Sequence, residues 1–140
     1  MITAVDTNVI IALWDKDPSL SASAQHALEN GFNRGTLIAA APVVSELIAA
    51  PGRSEAFVNK FFEETGILVE WELPERVWRL AGRAFRDYAE RRHRLRDPGP
   101  RRILADFLIG AHAVSVGQRL LTLDTRLYRA AFPSLTLDTF

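Results

Sequence analysis

Short β-favouring runs alternate with helical patterns along this chain, and that alternation constrains the fold more than any other feature. Apolar runs at residues 2–5, 36–39, 67–71, 120–123 and 135–137 read as strands. Asp6-Thr7-Asn8 reads as a polar turn leading into a helix over 9–13, and residues 15–18 as a second turn. Ser19 or Ser21 can cap a helix running to Asn30, with Gly31 as its stop. Pro42 suits a first helical position, which predicts a helix over 42–50. A further helix over 54–65 sets Phe57, Phe61 and Phe62 on one side and stops at Gly66. Pro74 opens a long helix to about His93, the Asp-Pro-Gly-Pro run at 97–100 breaks it, and helices over 101–116 and 125–132 follow. Strands separated by helices must run parallel, with helices covering both faces of the sheet. The expected fold is therefore α/β with a central, mainly parallel sheet. A length of 140 residues fits one domain over 1–140, without internal repeats or low-complexity tracts.

Composition removes several function classes. Residues are 48% apolar and 24% charged, which is the balance of a folded globular chain rather than a disordered one. Without cysteine there is no disulfide framework, thiol nucleophile or thiolate zinc site. His26, His93 and His112 are far apart in sequence, which speaks against a histidine-based metal centre. No apolar run reaches the length of a membrane span and the start lacks a secretory signal, so the expected location is the cytoplasm, with no membrane partner.

Within this frame, four carboxylates stand in apolar surroundings. Asp6 ends the first strand and is the first charged side chain; the next is Asp15. Glu46 is the single charge between Arg34 and Arg53, and its helical neighbours Pro42, Val43, Ala49 and Ala50 cannot pair with it. Asp106 is the one formal charge in 103–116, with Arg102 four residues before it. Asp124 follows an apolar strand and precedes a short helix. Singly, each has an ordinary structural reading: Asp6 and Asp124 as helix caps, Glu46 as a solvent-facing side chain, Asp106 as an i,i+4 partner of Arg102. Jointly they read differently, because ligands of parallel sheets bind at the carboxyl ends of the strands, where all four acids belong. Glu70 and Glu72, alternating around Trp71, and Asp138 near the terminus are read as structural.

Burying a lone carboxylate is costly, and clustering several adds mutual repulsion. A divalent cation relieves both. Oxygen donors without thiolate or imidazole select a hard ion, Mg²⁺ or Mn²⁺, whose usual co-ligand is substrate phosphate. The implied chemistry is metal-assisted phosphodiester hydrolysis. Competing readings lack their residues. A receiver-type phosphate sensor needs a late lysine, and none follows Lys60. A haloacid-dehalogenase-type phosphatase needs an aspartate where Asn8 stands, and there is no GxxxxGK[ST] phosphate loop.

The same residues resemble a known family. Val5-Asp6-Thr7-Asn8-Val9-Ile10 resembles the opening motif of PIN-domain ribonucleases, Ser45-Glu46-Leu47 the second acidic motif, residues 105–113 the third and residues 120–124 the fourth, with Tyr128 and Phe132-Pro133 continuing the usual ending. Size and layout are similar to VapC, the toxin half of type II toxin–antitoxin pairs. The resemblance implies a Rossmann-like three-layer α/β/α fold and Mg²⁺- or Mn²⁺-dependent endoribonuclease activity. It carries catalysis and metal binding onto Asp6, Glu46, Asp106 and Asp124, with Thr7, Asn8 and Thr122 in support. It further implies an RNA substrate, a cognate antitoxin and a homodimer. The family often has a basic or polar residue before the last acid; this chain has Leu123, so no phosphate contact is expected there. A PIN nuclease that processes RNA outside a toxin–antitoxin pair, or a non-catalytic RNA- or protein-binding PIN module, is the alternative.

The formal net charge is zero, yet it is unevenly spread. Residues 1–75 hold 4 basic and 11 acidic side chains, whereas 76–102 hold 10 basic and 3 acidic. Arg76, Arg79, Arg83 and Arg86 share one helical face and read first as solvated, with Arg83–Asp87 and Arg86–Glu90 available as i,i+4 pairs. Arg91, Arg92, Arg94, Arg96, Arg101 and Arg102 have Asp97 as their one nearby acid and lead straight to Asp106, which makes them the expected RNA-phosphate contacts. Trp14, Phe61, Trp71 and Trp78 read as core, or as a groove for antitoxin or a second copy.

Overall fold

The structure, a computed structural model, describes residues 1–97 and 102–140. Elements run β1 (Ile2–Val5), α1 (Thr7–Leu13), α2 (Pro18–Arg34), β2 (Thr36–Ala40), α3 (Ala41–Ala49), α4 (Glu55–Thr65), β3 (Leu68–Glu70), α5 (Glu75–Leu95), α6 (Leu104–Val116), β4 (Arg119–Leu121), α7 (Thr125–Ala131) and β5 (Thr136–Asp138). The strands form one sheet in the order β3-β2-β1-β4-β5, and every pair is parallel. This is the α/β architecture the strand–helix alternation predicts.

The chain builds outward from β1 through β2 to β3, then returns to the other side of β1 for β4 and β5. The order therefore reverses between β1 and β4, and the switch-point crevice at which sheets of this kind bind ligands belongs there, at the carboxyl ends of the strands. Val5 pairs with Leu121 in register, and the Asp6 amide extends that ladder by donating to the Leu121 carbonyl at 3.0 Å. Asp6 and the residues after β4 thus stand at the switch point.

Four boundaries depart from the sequence reading. There is no turn at 6–8: α1 begins at Thr7, directly after Asp6. Gly31 does not stop α2, which starts after Asp17 and runs to Arg34; a Cβ at Gly31 would lie 2.7 Å from the Leu37 side chain, so glycine there lets the helix approach β2. Helix α6 begins at Leu104, not 101, and Arg102 lies outside it. Trp71 and Trp78 are exposed, at 66% and 51%, and are not core; Phe61 is buried and Trp14 packs edge-on against it.

Helix α6 lies deepest. Its residues from Phe107 through Ala113 are all buried, because this stretch sits between the sheet and α5. Gly110 allows this: a Cβ there would fall 2.3 Å from the Phe132 ring. Phe107 stacks on Phe85 of α5 with centroids 4.4 Å apart. The packing fixes the amino end of α6, and with it Asp106, at the mouth of the crevice.

Candidate functional site

Each of the four acids is delivered to this end of the sheet by a different element. Asp6 follows β1, Glu46 lies on α3 after β2, Asp106 occupies the first turn of α6, and Asp124 precedes α7 after β4. Asp6 holds the cap position of α1 but makes no side-chain capping hydrogen bond, so capping does not account for it. Instead its Oδ2 accepts from the Thr122 hydroxyl at 2.8 Å. That hydroxyl in turn accepts from the Asp124 amide at 2.9 Å and, more distantly, from the Asn8 amide at 3.4 Å. One donor and two acceptor sites exhaust a hydroxyl, which fixes its orientation toward Asp6. Asn8 Oδ1 accepts from the Leu123 amide at 3.1 Å and closes the loop after β4. Thr7 donates to Glu46 Oε1 at 2.6 Å. Thr7, Asn8 and Thr122 thus all touch an acid or its supporting loop.

Electrostatics set two of the acids apart. Burial pushes the Asp6 carboxyl up to about 6; the Thr122 hydrogen bond opposes the rise and the negative charge of Asp106 adds to it. Asp106 is also raised, first by burial and further by Glu46 and Asp124, while the Ile103 amide and Arg102 pull the other way. Ile103 has no side-chain acceptor, so what exists of a capping box is the long reach of Asp106 back to the Ile103 amide, 3.4 Å. Asp106 is therefore near enough to repel each of the other three acids.

Asp124 behaves differently. Its Oδ1 accepts from the Leu127 amide at 3.3 Å and caps α7, while Oδ2 takes the Arg102 guanidinium at 2.6 Å. Both its bland capping role and a second partner are therefore real. Arg102 pairs across 22 residues rather than along a helix with Asp106, because the helix has not yet begun at 102. Burial disfavours the charged guanidinium, but Tyr88 and Asp124 outweigh that and raise its pKa.

Tyr128 is a member of the site that residue patterning alone did not single out. Its hydroxyl is buried without a hydrogen bond of good geometry, and burial together with Asp6, Asp106 and Asp124 pushes its pKa well above 10. The signal was spacing: four residues after Asp124 on α7, it shares the helical face that looks back at the acids. Glu70 was read as the outer face of a strand, yet it binds buried His112 Nε2 at 2.8 Å and ties β3 to α6.

The predicted basic residues divide. Arg92, Arg96 and Arg102 line a cleft of about 760 Å³ with Tyr88 and Phe85. A smaller adjoining cavity of about 180 Å³ shares Tyr88, Arg92 and Arg102 and adds Arg91 and Arg126. Arg126, on α7, was missed by sequence reasoning. Arg91 lies over the Tyr88 ring and donates to the Ala130 carbonyl at 3.4 Å; Arg94 is exposed and lines neither cavity. Arg101 lies outside the described residues.

Motif order, sheet order and the converging acids all point one way, and a model of the PIN domain matches residues 3–133. The chain belongs to the PIN domain family. PIN domains are generally nucleases. Among curated proteins none matches this chain in sequence. Several solved structures share the fold over nearly the full length. VapBC2 from Rickettsia felis, crystallised with a DNA fragment from its promoter, aligns with a TM-score of 0.69 at 20% identity, covering 99% of this chain and 98% of that one. VapBC-1 from nontypeable Haemophilus influenzae gives 0.66 at 18%, covering 99% and 98%. FitAcB from Neisseria gonorrhoeae gives 0.63 at 23%, covering 98% and 96%. At these identities the likeness speaks for the PIN fold.

The donor set of this PIN domain suits a hard cation in kind: its acids offer oxygen alone, and two of them are desolvated and mutually repelled. Among the described residues no three acids or histidines stand as a preformed ligand nest. Mg²⁺ does not need one, since it is commonly held by one or two carboxylates and keeps several waters.

Proposed function

We propose that this PIN domain is a Mg²⁺- or Mn²⁺-dependent endoribonuclease acting in the cytoplasm as the toxin of a VapBC-type pair, where RNA cleavage inhibits translation. The observation that carries the reading is the pair of repelling carboxyls, buried Asp6 and half-buried Asp106, at the end of β1 and the start of α6. A pair so placed is unfavourable in isolation and favourable around a cation. Asp6, Asp106 and Asp124 are the carboxylates that would hold the ion, with Glu46 adding to the negative field. When bound, such an ion polarises the phosphate and lowers the pKa of a water.

The remaining work falls to the chain. Thr122 orients Asp6 by donating to its Oδ2. Thr7 holds Glu46 through one oxygen and leaves the second to accept a proton from the attacking water. Arginines of the adjoining cleft bind the backbone phosphates flanking the scissile one. The full-length likeness to VapBC and FitAcB structures supports an antitoxin partner for this chain, and we extend the proposal to a homodimer of the toxin.

The test is expression of wild type beside Asp6→Ala, with cleavage of total RNA assayed in Mg²⁺, Mn²⁺ and EDTA. We expect growth arrest and cleavage from wild type alone, abolished by EDTA. Equal arrest by both forms, or cleavage that ignores EDTA, overturns the mechanism. A small antitoxin-like gene immediately upstream distinguishes a toxin from an RNA-processing nuclease.

A further inference from the structure

Arg102 belongs to two places at once. It holds Asp124 Oδ2 at 2.6 Å, and it lines both arginine-rich cavities beside the crevice. The pair is mostly sheltered, with 23% and 27% of the two side chains exposed, and Asp124's other oxygen is committed to the Leu127 amide. While Arg102 is in place, Asp124 therefore has no oxygen free of a hydrogen bond to offer a cation, and the charge of Oδ2 is already countered. A guanidinium and a dication compete for the same carboxylate.

The competition has a natural release. Guanidinium grips phosphate with the same planar fork that it offers a carboxylate. A backbone phosphate entering the cleft presents Arg102 with an alternative partner on the side away from Asp124. Tyr88 lines both cavities as well, so this polar wall is continuous from one to the other. Arg102 can thus exchange one anion for another with little loss of hydrogen bonding, and the exchange frees Asp124.

We propose that Arg102 is a latch on Asp124 that RNA releases, so that RNA and the metal ion bind cooperatively. This rests on the metal-dependent reading above. Linkage makes the effect reciprocal: if RNA tightens the ion, the ion tightens RNA by the same factor. Arg102 is on this view a positioning residue, acting through Asp124, and the latch keeps the metal site incomplete until substrate arrives.

The experiment is Mn²⁺ binding to the intact protein, followed by loss of the free-ion paramagnetic resonance signal. It is run with and without a saturating ten-residue 2′-O-methyl oligoribonucleotide. We expect the oligonucleotide to tighten Mn²⁺ on wild type about fivefold or more, the scale of ordinary coupling between sites. Arg102→Gln should bind Mn²⁺ about tenfold more tightly without RNA, the equivalent of one charge-assisted hydrogen bond, and should lose the response to the oligonucleotide. Arg102→Lys keeps the charge but not the fork and should also tighten Mn²⁺; it serves if the glutamine variant does not fold. Arg126→Gln removes a neighbouring charge of the cleft and should change Mn²⁺ affinity less than about twofold, since exposed charges are well screened. The latch is overturned if Arg102 variants bind Mn²⁺ like wild type, or if Arg126→Gln matches Arg102→Gln. It is equally overturned if the oligonucleotide leaves the Mn²⁺ affinity of wild type unchanged, or tightens Mn²⁺ on Arg102→Gln as much as on wild type. Failure of the underlying reading looks different: Asp6→Asn would then leave Mn²⁺ affinity unchanged.

Discussion

Helices α5 and α6 pack against each other, yet they carry charge on opposite terms. In α6 seven consecutive residues from Phe107 to Ala113 are buried, and Asp106 is its one formal charge. Of the 21 residues in α5, Val77, Ala81 and Ala84 are the buried ones, and seven are arginine. A carboxylate at the edge of an apolar helix costs free energy and calls for a compensating chemistry. An arginine on a solvated face costs nothing and calls for none. The same kind of side chain is therefore informative in one helix and nearly silent in its neighbour.

The largest effect expected from this contrast is on stability. Phe107→Ala should cost about 3–5 kcal/mol, since the ring is fully buried and stacked on Phe85. Trp78→Ala, on α5, removes a larger side chain that is 51% exposed and bonds the Leu73 carbonyl at 3.2 Å; it should cost about 1 kcal/mol or less. Urea unfolding of both variants measures the difference. Equal losses would mean that α5 is buried in an assembly, and the contrast between the helices would fail.

The same logic explains what could be read from the sequence. The alternation of strands and helices was legible because it depends on local periodicity. The four acids stood out because each interrupts or ends an apolar run. Strand order was not, since nothing local states which strand neighbours β1. Gly31 misled because a glycine serving close approach to Leu37 looks, in sequence, like one that ends a helix. The partner of Arg102 was equally hidden: the i,i+4 rule names Asp106, but the rule holds inside a helix, and Arg102 stands before one. His112 and Glu70, 42 residues apart, form a contact that only tertiary packing creates. Trp71 and Trp78 show the reverse error, since apolar character alone does not decide burial.

A second prediction asks whether Asp6 bears the cost that an acid in such surroundings should. Its carboxyl titrates near 3.8 in an unfolded chain and at about 6 in the folded one. Below about pH 4 both states are protonated and there is no penalty. Between pH 4 and 6 the unfolded state ionises first, so stability falls as pH rises, and above pH 6 the penalty is complete. Two units correspond to about 3 kcal/mol, an upper bound. Asp6→Asn keeps an acceptor for Thr122 and should stabilise the protein in EDTA at pH 7.5 by about 1–3 kcal/mol, with no gain at pH 4. Denaturant melts at both values check it. A variant no more stable than wild type at pH 7.5 would show that the crevice around Asp6 is well hydrated.

The smallest effect tests whether the arginines at the end of α5, Arg92 within it and Arg96 just beyond it, depart from that silence. Arg92 and Arg96 line the cleft that reaches Arg102, whereas Arg83 and Arg86 project from the exposed middle of the helix. Each phosphate contact on single-stranded RNA contributes about 0.7 to the slope of log affinity against log salt. Arg92→Gln with Arg96→Gln should therefore flatten that slope by about 1.4, and Arg83→Gln with Arg86→Gln should leave it within about 0.3 of wild type. Both pairs remove two positive charges, so net charge alone predicts equal flattening. Unequal slopes assign the difference to position, which would turn two residues of a solvated face into a described part of the RNA path. Equal slopes would assign the effect to net charge alone and leave Arg102 and Arg126 as the cleft's contacts.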